Sequence, residues 1–168
     1  MQNKLLLSIL ILFLSFLQNS CASKKLSKRI IVASSGKIES LDPARANTLK
    51  SIQLLSSLGD TLYELNINGE LVPELASEMP IFSKDGKKIY INLRKNVLFH
   101  DGTQFNSNAM KFSFDRFKRI GTMNYILGDK IKSIETPDEF QIIINLNKPS
   151  SSINGLLTSV NLTPVSPT

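Results

Sequence analysis

The chain has 168 residues, room for one ordinary domain or for part of a larger one. Hydrophobic residues make up 42% and charged residues 20%, a balance that excludes an intrinsically disordered protein. The net charge of +6 comes from lysines spread along the whole chain, which describes a solvated surface better than a nucleic-acid-binding face, and a single cysteine excludes an internal disulfide.

Met1 to Lys4 is a short basic start, and Leu5 to Leu17 then runs without a charge. That length suits the apolar stretch of a signal peptide and falls short of the roughly 20 apolar residues of a spanning helix. Residues 1–20 are therefore expected to be a signal peptide. Cys21 follows Leu17-Gln-Asn-Ser20, where a bacterial lipoprotein is cleaved and lipidated. Ser20 is the small residue that cleavage needs, while Gln18 and Asn19 depart from the usual lipobox. Lipidation of Cys21 is the expectation, with secretion as a free thiol as the alternative. Residues 21–28 are polar and basic and read as a tether.

The folded part is expected over residues 29–168. Arg29 to Ser34 is a β-branched run that predicts a buried strand, ended by Ser35-Gly36. Ser40-Leu41-Asp42-Pro43 predicts a turn. Ala46 to Leu58 is predicted helical, with Ile52, Leu55 and Leu58 on one face, and Gly59 closes it. Thr61 to Leu65 leads into a hairpin whose Asn68-Gly69 suits a two-residue turn. Asp85-Gly86 signals a second hairpin, and Lys88 to Arg94 alternates so that Ile89, Ile91 and Leu93 share a face. His100-Asp101-Gly102 is a turn before a helix capped by Asn106 or Ser107 and running to about Ile120. Met110, Phe114 and Phe117 mark that helix's buried stripe, and Lys111, Asp115 and Lys118 point away. The aromatic and basic residues of Lys111 to Arg119 thus read as an amphipathic helix rather than a stacking platform for nucleic acid. Lys130 to Glu135 and Phe140 to Leu146 predict paired strands around Thr136-Pro137-Asp138-Glu139. Ser150 to Val160 predicts a last helix, capped at Ser151 or Ser152 and weakened by Gly155.

Several of these pieces occur together in an order with a precedent. Leu41-Asp42-Pro43, Leu62-Tyr63-Glu64, Pro73-Glu74-Leu75-Ala76, Asp85-Gly86, Leu93-Arg94, Phe99-His100-Asp101-Gly102 and Phe112-Ser113-Phe114-Asp115-Arg116 resemble, in sequence and spacing, the extracytoplasmic solute-binding proteins of family 5. These are the dipeptide- and oligopeptide-binding receptors of ABC importers. Asn96 stands where the family usually has glycine, and asparagine tolerates the same left-handed backbone. Ser107-Asn108-Ala109-Met110 lacks the family's usual Asp-Val pair.

The resemblance implies an α/β fold of the type II periplasmic-binding-protein kind, with a mixed sheet flanked by helices. The family's chain is several times longer, so the expectation is the first lobe only, and an incomplete one. It also implies a protein outside the cytoplasmic membrane that captures a peptide or another small solute and delivers it to ABC permease subunits, held to the membrane through its lipid. Nickel, sugars and other solutes are bound by relatives. In the peptide-binding members the ligand's amino terminus pairs with an acidic residue of the second lobe, a role no residue here inherits. The turn after the first strand is expected to face the cleft, where Ser34, Ser35, Gly36 and Lys37 would offer backbone groups to an extended peptide; an ordinary exit from the strand is the alternative. Two other readings stay open: a truncated fragment that transports nothing, and a small exported lipoprotein serving as an interaction module.

Catalytic chemistry is not expected. His100 is the sole histidine, and one His with a distant Cys does not assemble the usual zinc shell. No phosphate-cradling glycine loop, nucleophile elbow or carboxylate pair is legible. No cofactor, metal or nucleic acid is expected.

Overall fold

The structure, a computed structural model, describes residues 31–127 and 130–168. The apolar segment Leu5–Leu17, Cys21 and the tether lie outside the described residues. The chain divides into two compact units, residues 1–35 and 36–168, and every element described below belongs to the second.

Residues 31–34, the described part of the expected first strand, form no strand. Ile31 and Val32 are 87% and 84% exposed. A β-branched run becomes a strand only where a neighbour supplies the ladder and a surface to pack on. Residues 31–34 make no such ladder.

The second unit begins with a 3₁₀ turn, Pro43–Arg45, whose N-cap Asp42 accepts from the Ala44 amide at 3.0 Å. Helix α1, Leu49–Leu55, is shorter than predicted. Thr48 starts it by accepting from the Ser51 amide, and turns rather than helix carry the chain through Leu58. Of the expected stripe, Leu55 is buried while Leu58 is 47% exposed.

Strands β1, Tyr63–Leu65, and β2, Leu71–Pro73, form a small antiparallel sheet. Asn66 pairs with Glu70 and the Gly69 amide bonds back to Asn66, so the hairpin loop has three residues rather than two. Only Gly69, at φ 79°, takes the left-handed conformation there.

Strands β3, Ile81–Phe82; β4, Lys88–Asn92; β5, Ile131–Asp138; and β6, Gln141–Leu146 form a four-stranded sheet in the order β3-β4-β6-β5. Every pairing among the described strands is antiparallel. The alternation read from the sequence sets the faces: Ile89 and Ile91 on β4 and Ile142 and Ile144 on β6 are fully buried. Strand β5 continues to Asp138, because the turn into β6 is tighter than Thr136–Glu139 suggested.

Helix α2, Ser107–Ile120, covers the apolar face of this sheet. Its N-cap is Asn106, whose side chain accepts from the Ala109 amide at 3.0 Å. Met110, Phe114 and Phe117 are buried, at 0%, 1% and 2% exposure, as the helical spacing predicted. Lys111 and Asp115 form an ion pair on its outer side. A 3₁₀ turn at Asn124–Ile126 leads towards β5. The last predicted helix reduces to helix α3, Ile153–Leu157, followed by a 3₁₀ turn at Val160–Leu162. Ser152 makes no side-chain capping bond, which helps to explain why so few residues stay helical.

Candidate ligand-binding site

Two motifs legible in the sequence, Leu41-Asp42-Pro43 and Phe112 to Arg116, meet in space at one ion pair. Asp42 caps the 3₁₀ turn, and Arg116 projects from the middle of α2. The guanidinium grips the carboxylate with two bonds, Nη1 to Oδ1 at 2.7 Å and Nη2 to Oδ2 at 2.6 Å. Both side chains are about three-quarters buried, with 23% and 24% of their surface exposed. The Arg116 guanidinium holds the Asp42 carboxyl below the usual aspartate range, with the Ala44 amide and Arg45 adding to the effect and burial opposing it. A planar fork matched to a carboxylate at this distance fixes direction as well as separation. The Leu-Asp-Pro turn is thereby locked to the helix.

Asn161 does a similar job that was not legible in the sequence. Its buried amide donates to the Pro43 carbonyl at 2.8 Å and to the Ala46 carbonyl at 2.7 Å. The only available signal was an asparagine set between apolar neighbours near the end of the chain. Ser113 ties the final stretch to α2, because the Val165 amide donates to its hydroxyl at 2.9 Å.

These contacts frame an open groove of about 650 Å³. Pro43, Leu55, Leu75 and Phe105 form its apolar floor, and Thr163 to Ser166 form one wall. Leu41, Leu58 and Leu98, all exposed, stand on its margins. His100 and Asp101 lie at its rim within a three-residue turn in which the Gly102 amide bonds to the Phe99 carbonyl at 2.9 Å. Gly102, at φ 84°, permits that turn. Asp101 accepts from the Thr103 amide and hydroxyl and from the Thr168 hydroxyl. These bonds, Thr103's hydroxyl first, hold its carboxyl well below the usual range.

The expected ligand contacts are divided between the two units. Ser34 and Ser35 belong to the first unit; both are exposed, and the Ser34 hydroxyl donates to the Ser35 carbonyl at 3.5 Å. Gly36 and Lys37 belong to the second unit, are exposed, and do not line the groove. Gly36, at φ 106°, sits against the aliphatic stem of Lys50.

The remaining motif residues hold the architecture. Tyr63 is fully buried and donates to the Glu78 carbonyl at 3.0 Å. Asp85 and Gly86 turn β3 into β4, and Gly86 has φ 66°. Arg94 bonds through its backbone amide to the Leu75 carbonyl at 2.8 Å, with its side chain exposed. Asn96 has φ 60°, the one positive value on a non-glycine among the described residues, which accounts for asparagine at that position. Among the described residues no three His, Cys, Asp or Glu side chains are grouped to hold a metal, and no helix is long and apolar enough to cross a membrane.

A sheet covered by one helix, joined to a small hairpin through the Ala76–Leu93 bridge at the end of β4, defines part of a lobe of the type II periplasmic-binding-protein fold. Solved structures of that fold superpose on the chain. The pheromone receptor PrgZ, whose mode of peptide binding has been determined, matches with a TM-score of 0.73 and 26% identity over 80% of this chain and 30% of its own. Listeria monocytogenes OppA bound to peptide matches in fold, with a TM-score of 0.73 and 23% identity over 79% of this chain and 30% of its own.

The sequence agrees. The glutathione-binding protein GsiB of Escherichia coli O1:K1 / APEC is 30% identical over 153 residues, covering 90% of this chain and 29% of GsiB. Residues 70–167 match the model of the bacterial extracellular solute-binding proteins, family 5, and the chain belongs to that family. It spans less than a third of the length of these relatives.

Proposed function

We propose that this chain is the ligand-capturing lobe, in part, of a receptor for an ABC importer, and that its solute is a peptide. It works outside the cytoplasmic membrane and hands the solute to permease subunits. Residues 1–20 direct export and are removed, Cys21 carries the lipid, and residues 29–168 form the binding lobe. Binding, rather than catalysis, is its activity. The observation that carries this reading is the family match over residues 70–167. The peptide assignment is supported by relatives that bind glutathione or peptides.

Ligand contact is assigned to the backbone of Ser34, Ser35, Gly36 and Lys37, whose exposed amide and carbonyl groups an extended peptide could pair with. Lobe closure around the bound peptide then excludes water and presents the closed form to the permease.

The test is an amide NMR titration of the purified chain with glutathione and with a pool of short peptides. Saturable shifts of the residue 34–37 amides are expected with one of the two probes. A well-dispersed spectrum in which no amide moves with either probe would overturn the peptide assignment. Lipidation is tested separately: Cys21 in protein taken from its native membranes should resist maleimide, and alkylation would count against the anchor.

A further inference from the structure

Lysines that lie far apart in the sequence converge at one end of the four-stranded sheet. Lys88 opens β4 opposite Asn145 of β6, and the Lys87 carbonyl accepts from the Leu146 amide at 2.7 Å. Across β6, the Lys130 carbonyl accepts from the Asn147 amide at 2.9 Å, and Lys132 lies between the paired positions Ile131 and Ser133 of β5. Lys148 follows Asn147 directly. The turn carrying Lys84 packs down onto the same place: a Cβ built on Gly86 would lie 3.2 Å from the Pro149 ring. Three strand ends and one turn therefore gather six lysines.

Five of the six are exposed, and Lys130 is half-buried with its ammonium donating to the Ser152 hydroxyl at 3.2 Å. None of them takes part in an ion pair among the described residues. The acids placed among them are already engaged: Asp85 accepts from the Ser83 hydroxyl and the Lys87 amide, and Glu135 accepts from the Asn145 amide. Even counting Asp129, which precedes Lys130 in the sequence, this end of the sheet keeps an excess of positive charge. Outside this end of the sheet, Arg116 and Arg45 are paired with Asp42 and Lys111 with Asp115.

We propose that this lysine-rich end of the sheet is a contact surface for the anionic headgroups of the membrane. Ammonium groups on flexible stems, in no ion pair among the described residues and crowded on one exposed end, suit a surface of diffuse negative charge better than a shaped pocket. Each lysine near an anionic leaflet adds attraction that dies away within a Debye length. Such a contact would lay the lobe against the bilayer. The proposal rests on the reading of the chain as an extracytoplasmic protein held beside the membrane.

The experiment is sedimentation of the full chain with vesicles of phosphatidylcholine alone and of equal parts phosphatidylcholine and phosphatidylglycerol, at low and high salt. A preference for the anionic vesicles of at least about tenfold is expected, falling as salt rises. The variant Lys84→Gln, Lys87→Gln, Lys88→Gln, Lys148→Gln should lose most of that preference. The variant Lys50→Gln, Arg94→Gln, Lys95→Gln, Arg119→Gln, with equal charge removed elsewhere, should keep most of it. The apolar leader and any lipid are common to all three proteins, so the comparison isolates the patch. Equal losses in both variants, an undiminished preference in the first, or no preference in the unaltered chain would each overturn the proposal; the last would leave an acidic protein surface as the partner. Melting curves confirm that the variants are folded. An anionic preference that survives when no peptide binds would sink the peptide assignment and leave the patch standing, and the converse holds equally.

Discussion

Asp42 joins three tasks in one carboxylate: it caps a turn, accepts the Arg116 fork and attracts Arg45. Removing either partner of a largely buried, bidentate pair leaves the other charge uncompensated. Arg116→Met is therefore expected to cost about 2 kcal/mol after allowance for the remaining exposure, measured by urea unfolding. The pair also sets a pH dependence. Arg116 lowers the folded pKa of Asp42 below its ordinary 3.8, so the unfolded chain binds more protons at acid pH. The stabilisation is whole above that ordinary value and is lost as pH falls through the lowered one. In Asp42→Asn the part of the acid-induced destabilisation due to this site should vanish, leaving a flatter stability profile below about pH 4. At Tyr63, burial raises the phenol's pKa, and the hydroxyl finds one partner, the Glu78 carbonyl. Tyr63→Phe should cost about 1 kcal/mol by the same measurement, the net worth of one buried hydrogen bond.

Helix α2 is the element on which the rest depends, and its start is defined from both sides. Asn106 caps it, while the Ser107 hydroxyl and amide bond to the Asp138 and Glu139 carbonyls at 2.7 and 2.8 Å. The turn between β5 and β6 is thereby fastened to the first residue of the helix. Asn106→Ala should lower stability by about 1 kcal/mol, seen as a reduced melting temperature, whereas Asn106→Asp should be nearly neutral because it keeps the cap and suits the helix dipole. The end of the helix is equally constrained. A Cβ on Gly121 would collide with the Phe117 carbonyl oxygen and ring, so space rather than backbone freedom requires glycine there.

At the scale of the second unit as a whole, one apolar cluster runs from Ala44 and Leu62 through the sheet to Leu157 and Leu162. Phe114 sits within it at 1% exposure, while Phe112 on the same helix is 36% exposed. Phe114→Ala should cost about 3–5 kcal/mol and Phe112→Ala about 1 kcal/mol or less, read from urea midpoints. A cluster that reaches into both sheets should give a single cooperative transition, with the melting of β1–β2 tracking that of the larger sheet.

Local chemistry written in the chain was enough for the parts whose environment is their own sequence. The α2 stripe, the alternation of β4 and β6, the glycine turns and the left-handed Asn96 all follow from spacing and backbone sterics, and the ordered motifs pointed to the family. Tertiary structure decided whatever needed a distant partner. The Arg29–Ser34 run looked like a strand but forms none over its described residues, and α1 and α3 shortened where turns took over from the helix. The Asp42–Arg116 pair spans most of the folded unit, and the lysine cluster exists only because antiparallel register brings the starts of β4 and β5 beside the end of β6. Spread along the sequence those lysines read as an ordinary solvated surface; charge density is a property of distance in space, which the order of residues alone does not specify.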